Sequence, residues 1–411
     1  MCSMKKYKPS DLVITGLGIT TAVGQGKTDF TAALMEGEHA FGFLQRPGRQ
    51  SSPAFLGAEI SSLTYPERFS QRLLRKASFG SQVALVTLNE AWEEANLAAV
   101  DSERIGLVIG GSNIQQREMN QIHESYKDRV SFIPPTYGMS FMDSDLCGIC
   151  TEQFRIQGMA YTVGGASASG QVAVIQAIQA VLSGQVDVCI ALGAVMDISY
   201  WECQALRSLG AMGSDRYAAE PEQACRPFDQ NRDGFIYGEC CGAVVIERES
   251  FAVERNVKPY SAVLGWAMVM DGNRNPNSSY DGEVKVINRA LSQAHLSPQE
   301  IDYINPHGSG SNIGDEIELS AIIDCKLDHA FINATKSIVG HGLSSAGIVE
   351  VVATLLQMKG ARLHPTRNLD KPINSSLNWV RNQAVFCDFK NALTLSFGFG
   401  GMNTALCLTK Y

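Results

Sequence analysis

Ser167–Gly184, SASGQVAVIQAIQAVLSG, and Leu343–Gly360, LSSAGIVEVVATLLQMKG, resemble one another at a separation of 176 residues. Each begins with small residues, continues as an apolar run at helical spacing and stops at a glycine, a residue that commonly ends helices. Both are apolar around most of their circumference, which places them in an interior rather than on a surface. The pair implies two related halves, each built around one buried helix. The halves are expected to meet near residue 255, as 1–255 and 256–411. No long linker or low-complexity stretch separates them, so they are expected to share one core. Around these helices, apolar β-branched runs alternate with helical patterns. Asp11–Thr20, Ile105–Ile109, Val186–Leu192 and Ala243–Glu247 read as buried strands, and Leu73–Ala95 reads as a helix with small residues on one face. That alternation indicates α/β layering with buried sheets.

The chain has 411 residues, 45% of them hydrophobic and 18% charged, enough for a large core. Its net charge of −8 argues against nucleic acid or an anionic membrane as the main partner, although a local basic patch could still dock an acidic one. The 11 cysteines are an odd number without framework spacing, which favours free thiols in a reducing compartment. Cys147 and Cys150 form a CxxC pair, but no second ligand pair matches it, so no metal site is expected. The N-terminal MCSMKKYKPSD lacks a following apolar region, and no uninterrupted apolar run reaches the roughly 18 residues of a membrane span. A cytoplasmic protein is expected.

Three places carry possible chemistry. In Tyr161–Gly170, YTVGGASASG, a strand-like run enters a glycine and serine turn before the first buried helix. Ser167 at that turn would face free N–H groups and the positive end of the helix dipole, good conditions for a nucleophile or for holding an oxyanion. The competing reading is that Ser167 or Ser169 caps the helix. His307 in INPHGSGSNIGDEIE and His341 in TKSIVGHGLSSAG both follow short strands, where α/β folds place their ligands. His39, His123, His295, His329 and His364 have no such context and read as surface or core residues. The C-terminal LSFGFGGMNTALCL has glycines that allow a close backbone approach, and the Asp-Gly loop after Arg226, RPFDQNRDGFIYGECCG, lacks EF-hand spacing.

Taken in order, these segments resemble the β-ketoacyl synthase branch of the thiolase superfamily over nearly the whole chain. DLVITGLGITTAVG resembles the family's opening strand, and RPFDQNRDGFIYGE its RPFDxxRDGFVxGE segment. INPHGSGSNIGDEIE resembles NAHGTxTxxGDxxE, TKSIVGHGLSSAG resembles NKSxxGHxxGAAG, and SFGFGGMN resembles SFGFGGTN. The resemblance implies a thiolase-like fold of two related βαβαβαββ halves, packed as a five-layer α-β-α-β-α sandwich. It implies His307 and His341 as catalytic histidines and Lys336 as the lysine that orients the site. It also implies Phe399 and Gly400 at the gating, substrate-binding turn. The departure is central: where the family's TACSSG motif carries its acyl-bearing cysteine, this chain reads GGASASG, with Ser167 in the cysteine position.

A cysteine of pKa about 8.5 is partly thiolate at neutral pH, whereas a serine hydroxyl needs a dedicated base. The substitution should cripple acylation and leave the enolate-forming half of the reaction in place. The resemblance therefore implies decarboxylation of malonyl-acyl carrier protein to acetyl-acyl carrier protein, as in the serine-substituted members of polyketide β-branching cassettes. No cofactor is implied beyond the carrier's phosphopantetheine arm. An acyl carrier protein, a second copy in a homodimer and a hydroxymethylglutaryl-CoA-synthase-like enzyme are the implied partners. Arg72, Arg75 and Lys76 form a basic cluster for carrier docking, against the alternative of a solvated helix face. The rival readings are a condensing enzyme using Ser167, a non-catalytic chain-length-factor-like subunit, and an acyltransferase or hydrolase needing a base beside Ser167.

Overall fold

The structure, a computed structural model, describes residues 11–50, 54–274 and 276–411; most of the N-terminal stretch read above for targeting features lies outside them. Among the described residues no helix is long and apolar enough to cross a membrane.

The first half runs β1 (Leu12–Thr21), α1 (Phe79–Glu94), β2 (Ile105–Gly110), α2 (Ser144–Phe154), β3 (Ala160–Val163), α3 (Ser169–Leu182), β4 (Val188–Gly193) and β5 (Cys240–Arg248). The second repeats the plan with β6 (Ser261–Met270), α4 (Tyr280–Ala294), β7 (Tyr303–Asn305), α5 (Gly314–Asp324) and β8 (Phe331–Ile332). It continues through the short α6 (Lys336–Val339), α7 (Ala346–Gly360), β9 (Asn391–Gly398) and β10 (Met402–Lys410). Strand order is β3-β2-β4-β5-β1 in one half and β8-β7-β9-β10-β6 in the other, the same order in both. The two sheets join where β1 pairs antiparallel with β6, Val13 opposite Ala262 and Ile14 opposite Ser261.

Helices α1 and α2 cover the outer face of the first sheet and α4 and α5 that of the second; α3 and α7 lie between the sheets. Every residue of β1 is buried, as a strand covered on both faces requires. The central helices touch at glycines. A Cβ on Gly170 would fall 2.8 Å from Ile348 N, and one on Gly347 would fall 3.0 Å from Gln171 Cγ. Only glycine permits so close an approach. This crossing fixes the internal repeat as Ala166 with Leu343, Ser167 with Ser344 and Gly170 with Gly347, one residue further along than the sequence pattern suggests. Ala166 and Leu343 both adopt positive φ, 47° and 52°.

The expected Leu73–Ala95 helix is two helices. Gln71–Leu74 stops, and Ser78, in extended conformation, accepts from the Ser81 N–H to cap α1.

Candidate active site

β3 ends at Val163, and two glycines lead into the Ala166–Ala168 turn that starts α3. The left-handed backbone at Ala166 is a strained conformation for a residue with a Cβ, and it bends the chain so that Ser167 stands before the helix N-terminus. Capping does not explain the serines. The N-cap is Ala168, with no side-chain cap, and Ser169 Oγ braces the turn by accepting from Gly165 N–H at 2.9 Å and donating to Ala166 O at 2.7 Å. The end of β9 packs on the loop: Ser396 Oγ donates to Ser167 O at 3.2 Å.

His307 follows β7. Glu318 of α5 holds this loop, accepting from the N–H groups of His307 at 2.6 Å and Gly308 at 2.8 Å. His341 follows α6 and is gripped by the strand-like segment through Tyr237: its N–H donates to Ile236 O at 2.7 Å and its O accepts from Gly238 N–H at 3.1 Å. The two imidazoles stand edge to face, centroids 5.4 Å apart at 79°. Phe235 lies 5.1 Å from His341 and Phe397 5.7 Å from His307.

Each ring has its Nδ1 engaged from behind. Leu343 N–H donates to Nδ1 of His341 at 3.1 Å, and Lys336 Nζ lies 3.4 Å from Nδ1 of His307 while also bonding its carbonyl. An imidazole that accepts at Nδ1 carries its proton on Nε2, so both rings are Nε2–H donors. Burial, reinforced by the Lys336 charge, holds both well below the ordinary histidine value of 6.5; for His307, the neighbouring His341 acts in the same direction. Both are neutral at pH 7. Lys336 is buried and pairs with Glu350 of α7 at 2.5 Å, whose carboxyl burial pushes up to about 7 against the pull of Lys336. Burial also raises Glu318 to about 8 and Asp315 to about 6.

Ser167, His307, His341 and Phe399 line one cavity of about 350 Å³. Phe399 is 41% exposed on the Gly398–Gly401 turn. Gly398 lines the cavity but Gly400 does not; Gly400 and Gly401 supply the positive φ values of the turn, 87° and 88°. Lys336 acts from behind His307 and is not part of the lining. Arg72, Arg75 and Lys76 are exposed around the Gln71–Leu74 helix, and none of them lines the cavity. Cys147 and Cys150 are buried free thiols, and no group of three metal-ligating side chains occurs among the described residues.

Sequence reading named His307, His341 and Lys336 but not their supports, Glu318, Glu350, Phe235 and the Leu343 N–H. Glu350 had a visible signal: it is the one acid in the otherwise apolar run LSSAGIVEVVATLLQ, and a buried charge needs a partner.

Two buried helices meeting at glycines bring Ser167, at a strained turn, and two neutral imidazoles into one cavity of a thiolase-like fold. Residues 10–252 match the β-ketoacyl synthase N-terminal domain and residues 260–370 its C-terminal domain, and the chain belongs to that family. Among its relatives, the chain is 64% identical over 405 residues to the polyketide biosynthesis malonyl-ACP decarboxylase PksF of Bacillus subtilis, covering 98% of each chain. It is 28% identical over 409 residues to a 3-oxoacyl-acyl-carrier-protein synthase 1 of Buchnera aphidicola, covering 97% of this chain and 99% of the relative. A β-ketoacyl synthase crystal structure from Burkholderia phymatum superposes with a TM-score of 0.89 at 25% identity, over 98% of this chain and 100% of the other.

Proposed function

We propose that this chain decarboxylates malonyl groups on the phosphopantetheine arm of an acyl carrier protein, giving acetyl-carrier protein for polyketide biosynthesis. The observation that carries this reading is a serine at the turn before α3, sharing a cavity with two imidazoles whose Nδ1 atoms are both engaged. The 64% identity to a malonyl-ACP decarboxylase supports it.

The thioester oxygen would sit between the two Nε2–H groups. The bond from the α-carbon to the carboxylate breaks, its electron pair enters the enolate, CO2 leaves, and a proton from solvent water adds to the α-carbon to give acetyl. Donors aimed at developing negative charge are worth about 3 kcal/mol each. Phe399 and Phe235 offer the leaving carboxylate apolar walls that solvate it poorly.

The condensing alternative needs a base for Ser167. Neither histidine can serve, because the nitrogen each offers the cavity already bears a proton. A non-catalytic subunit would not need both imidazoles held as donors.

The carrier docks through Arg72, Arg75 and Lys76, and the reaction needs no metal or further cofactor. The protein acts in the cytoplasm as a homodimer. Support for a second copy comes from the edge position of β3 and from the exposed Phe132, Met139 and Phe141. A hydroxymethylglutaryl-CoA-synthase-like enzyme consumes the acetyl-carrier product. The purified protein mixed with malonyl-carrier protein should yield a carrier lighter by CO2, read by intact mass. An unchanged malonyl mass removes the proposal.

A further inference from the structure

A buried ionic cluster lies directly behind the cavity's closed end. Half-exposed Leu209, Ile313 and Phe399 mark the mouth, whereas the far end is made by Met196 with buried Phe235, His341 and Leu343. The residue after Met196 is Asp197, whose Oδ1 accepts from Arg49 Nη2 at 2.7 Å and Arg117 Nε at 2.8 Å. Arg49 has no exposed surface; it also reaches Glu239 at 2.5 Å and Glu59 at 2.8 Å, and its Nε donates to Ile198 O at 2.8 Å. Arg46 completes the set on Glu239 at 2.6 Å. Tyr237 ties cluster to wall: its hydroxyl accepts from Arg49 and donates to Met196 O at 2.8 Å.

Three guanidinium groups thus face three carboxylates within the protein, in mutual contact. An acyl chain extending past Met196 would have to part these ions and leave charges buried without partners, a loss that methylene burial does not offset. We infer that the network around Arg49 and Asp197 sets the acyl length this cavity accepts, admitting malonyl and acetyl groups and rejecting longer chains. The inference rests on the proposed function for the carrier-borne thioester, but not for the wall itself. It makes the chain a short-acyl enzyme for a reason independent of Ser167.

The test uses the wild-type protein and carrier protein bearing acetyl, butyryl or octanoyl groups through a non-hydrolysable amide, with binding read by fluorescence anisotropy. In an open apolar slot each buried methylene tightens binding about fourfold, so octanoyl, six methylenes longer, would exceed acetyl by on the order of several thousandfold. The closed wall predicts that octanoyl-carrier binds no tighter than acetyl-carrier. Octanoyl binding tighter than acetyl by about threefold or more overturns the inference. Met196→Ala, which removes three heavy atoms from the wall, should then favour butyryl over acetyl by about fifteenfold, the value of two added methylenes. If no carrier binds at all, the carrier reading fails. The wall is then read from Ser167→Cys treated with acetyl and octanoyl N-acetylcysteamine thioesters. An acetyl adduct without an octanoyl one supports the closed wall, and equal labelling overturns it.

Discussion

Replacing Lys336 with methionine separates two roles that the structure assigns to one ammonium group. Lys336 neutralises Glu350 at 2.5 Å and holds Nδ1 of His307 at 3.4 Å. Removing one member of a buried pair costs about 3–5 kcal/mol. The cost should fall at the low end, about 3 kcal/mol, because Glu350 already sits at about 7 and takes up a proton once its partner is gone. For a chain of this size that lowers the melting temperature by roughly 3–4 °C. The rate follows a separate path. Without the ammonium, nothing fixes the His307 tautomer, and losing one donor to a developing oxyanion costs about a hundredfold in kcat. The double variant Lys336→Met with Glu350→Gln removes the stranded carboxylate and should recover most of the lost stability. It should not recover the rate. Thermal melts and the initial rate of CO2 release, measured on both variants, give the two answers. Recovery of the rate along with stability would refute the tautomer argument and leave Lys336 a structural residue.

Three further outcomes follow from the same geometry. His307→Ala and His341→Ala should each lower kcat by about 10²–10³-fold, measured as CO2 release at saturating malonyl-carrier; a loss below about tenfold in either would show that its ring does not hold the enolate oxygen. Gly238→Ala would place a Cβ 1.9 Å from Val339 O, so the strand that grips His341 must shift, and activity should fall even where circular dichroism shows a folded protein. Glu318 holds its proton up to about pH 8 in the folded chain, against an ordinary value of 4.5. Its contribution to stability is therefore full below pH 4.5 and is lost as the pH rises towards 8. Glutamine cannot titrate, so the melting temperature of Glu318→Gln minus that of wild type should climb across this window; a constant difference would show that Glu318 is not held protonated.

The central layer was legible in the sequence because burial on nearly all sides leaves a mark that no surface helix carries: both α3 and α7 are apolar around most of their circumference. The register of the repeat was not, because a run of small residues reads alike when slid by one; only the glycine crossing of Gly170 and Gly347 decides it. The break after Leu74 was hidden because Arg75, Lys76 and Ala77 are good helix formers that carry the pattern across it, and the cap preference of Ser78 is a small signal beside that run. Ser167, His307 and His341 stood out as residues in ordered motifs. The Arg49 cluster did not, because its members lie scattered from residue 46 to residue 239 and each reads as an ordinary surface charge until the fold brings them together.

The most direct measurement mixes the protein with equal amounts of malonyl-carrier and acetyl-carrier and follows both masses. A site with two imidazole donors and no thiolate converts the first species into the second, so every carrier ends as acetyl and none as acetoacetyl. Acetoacetyl-carrier, or malonyl-carrier that persists unchanged, would contradict it.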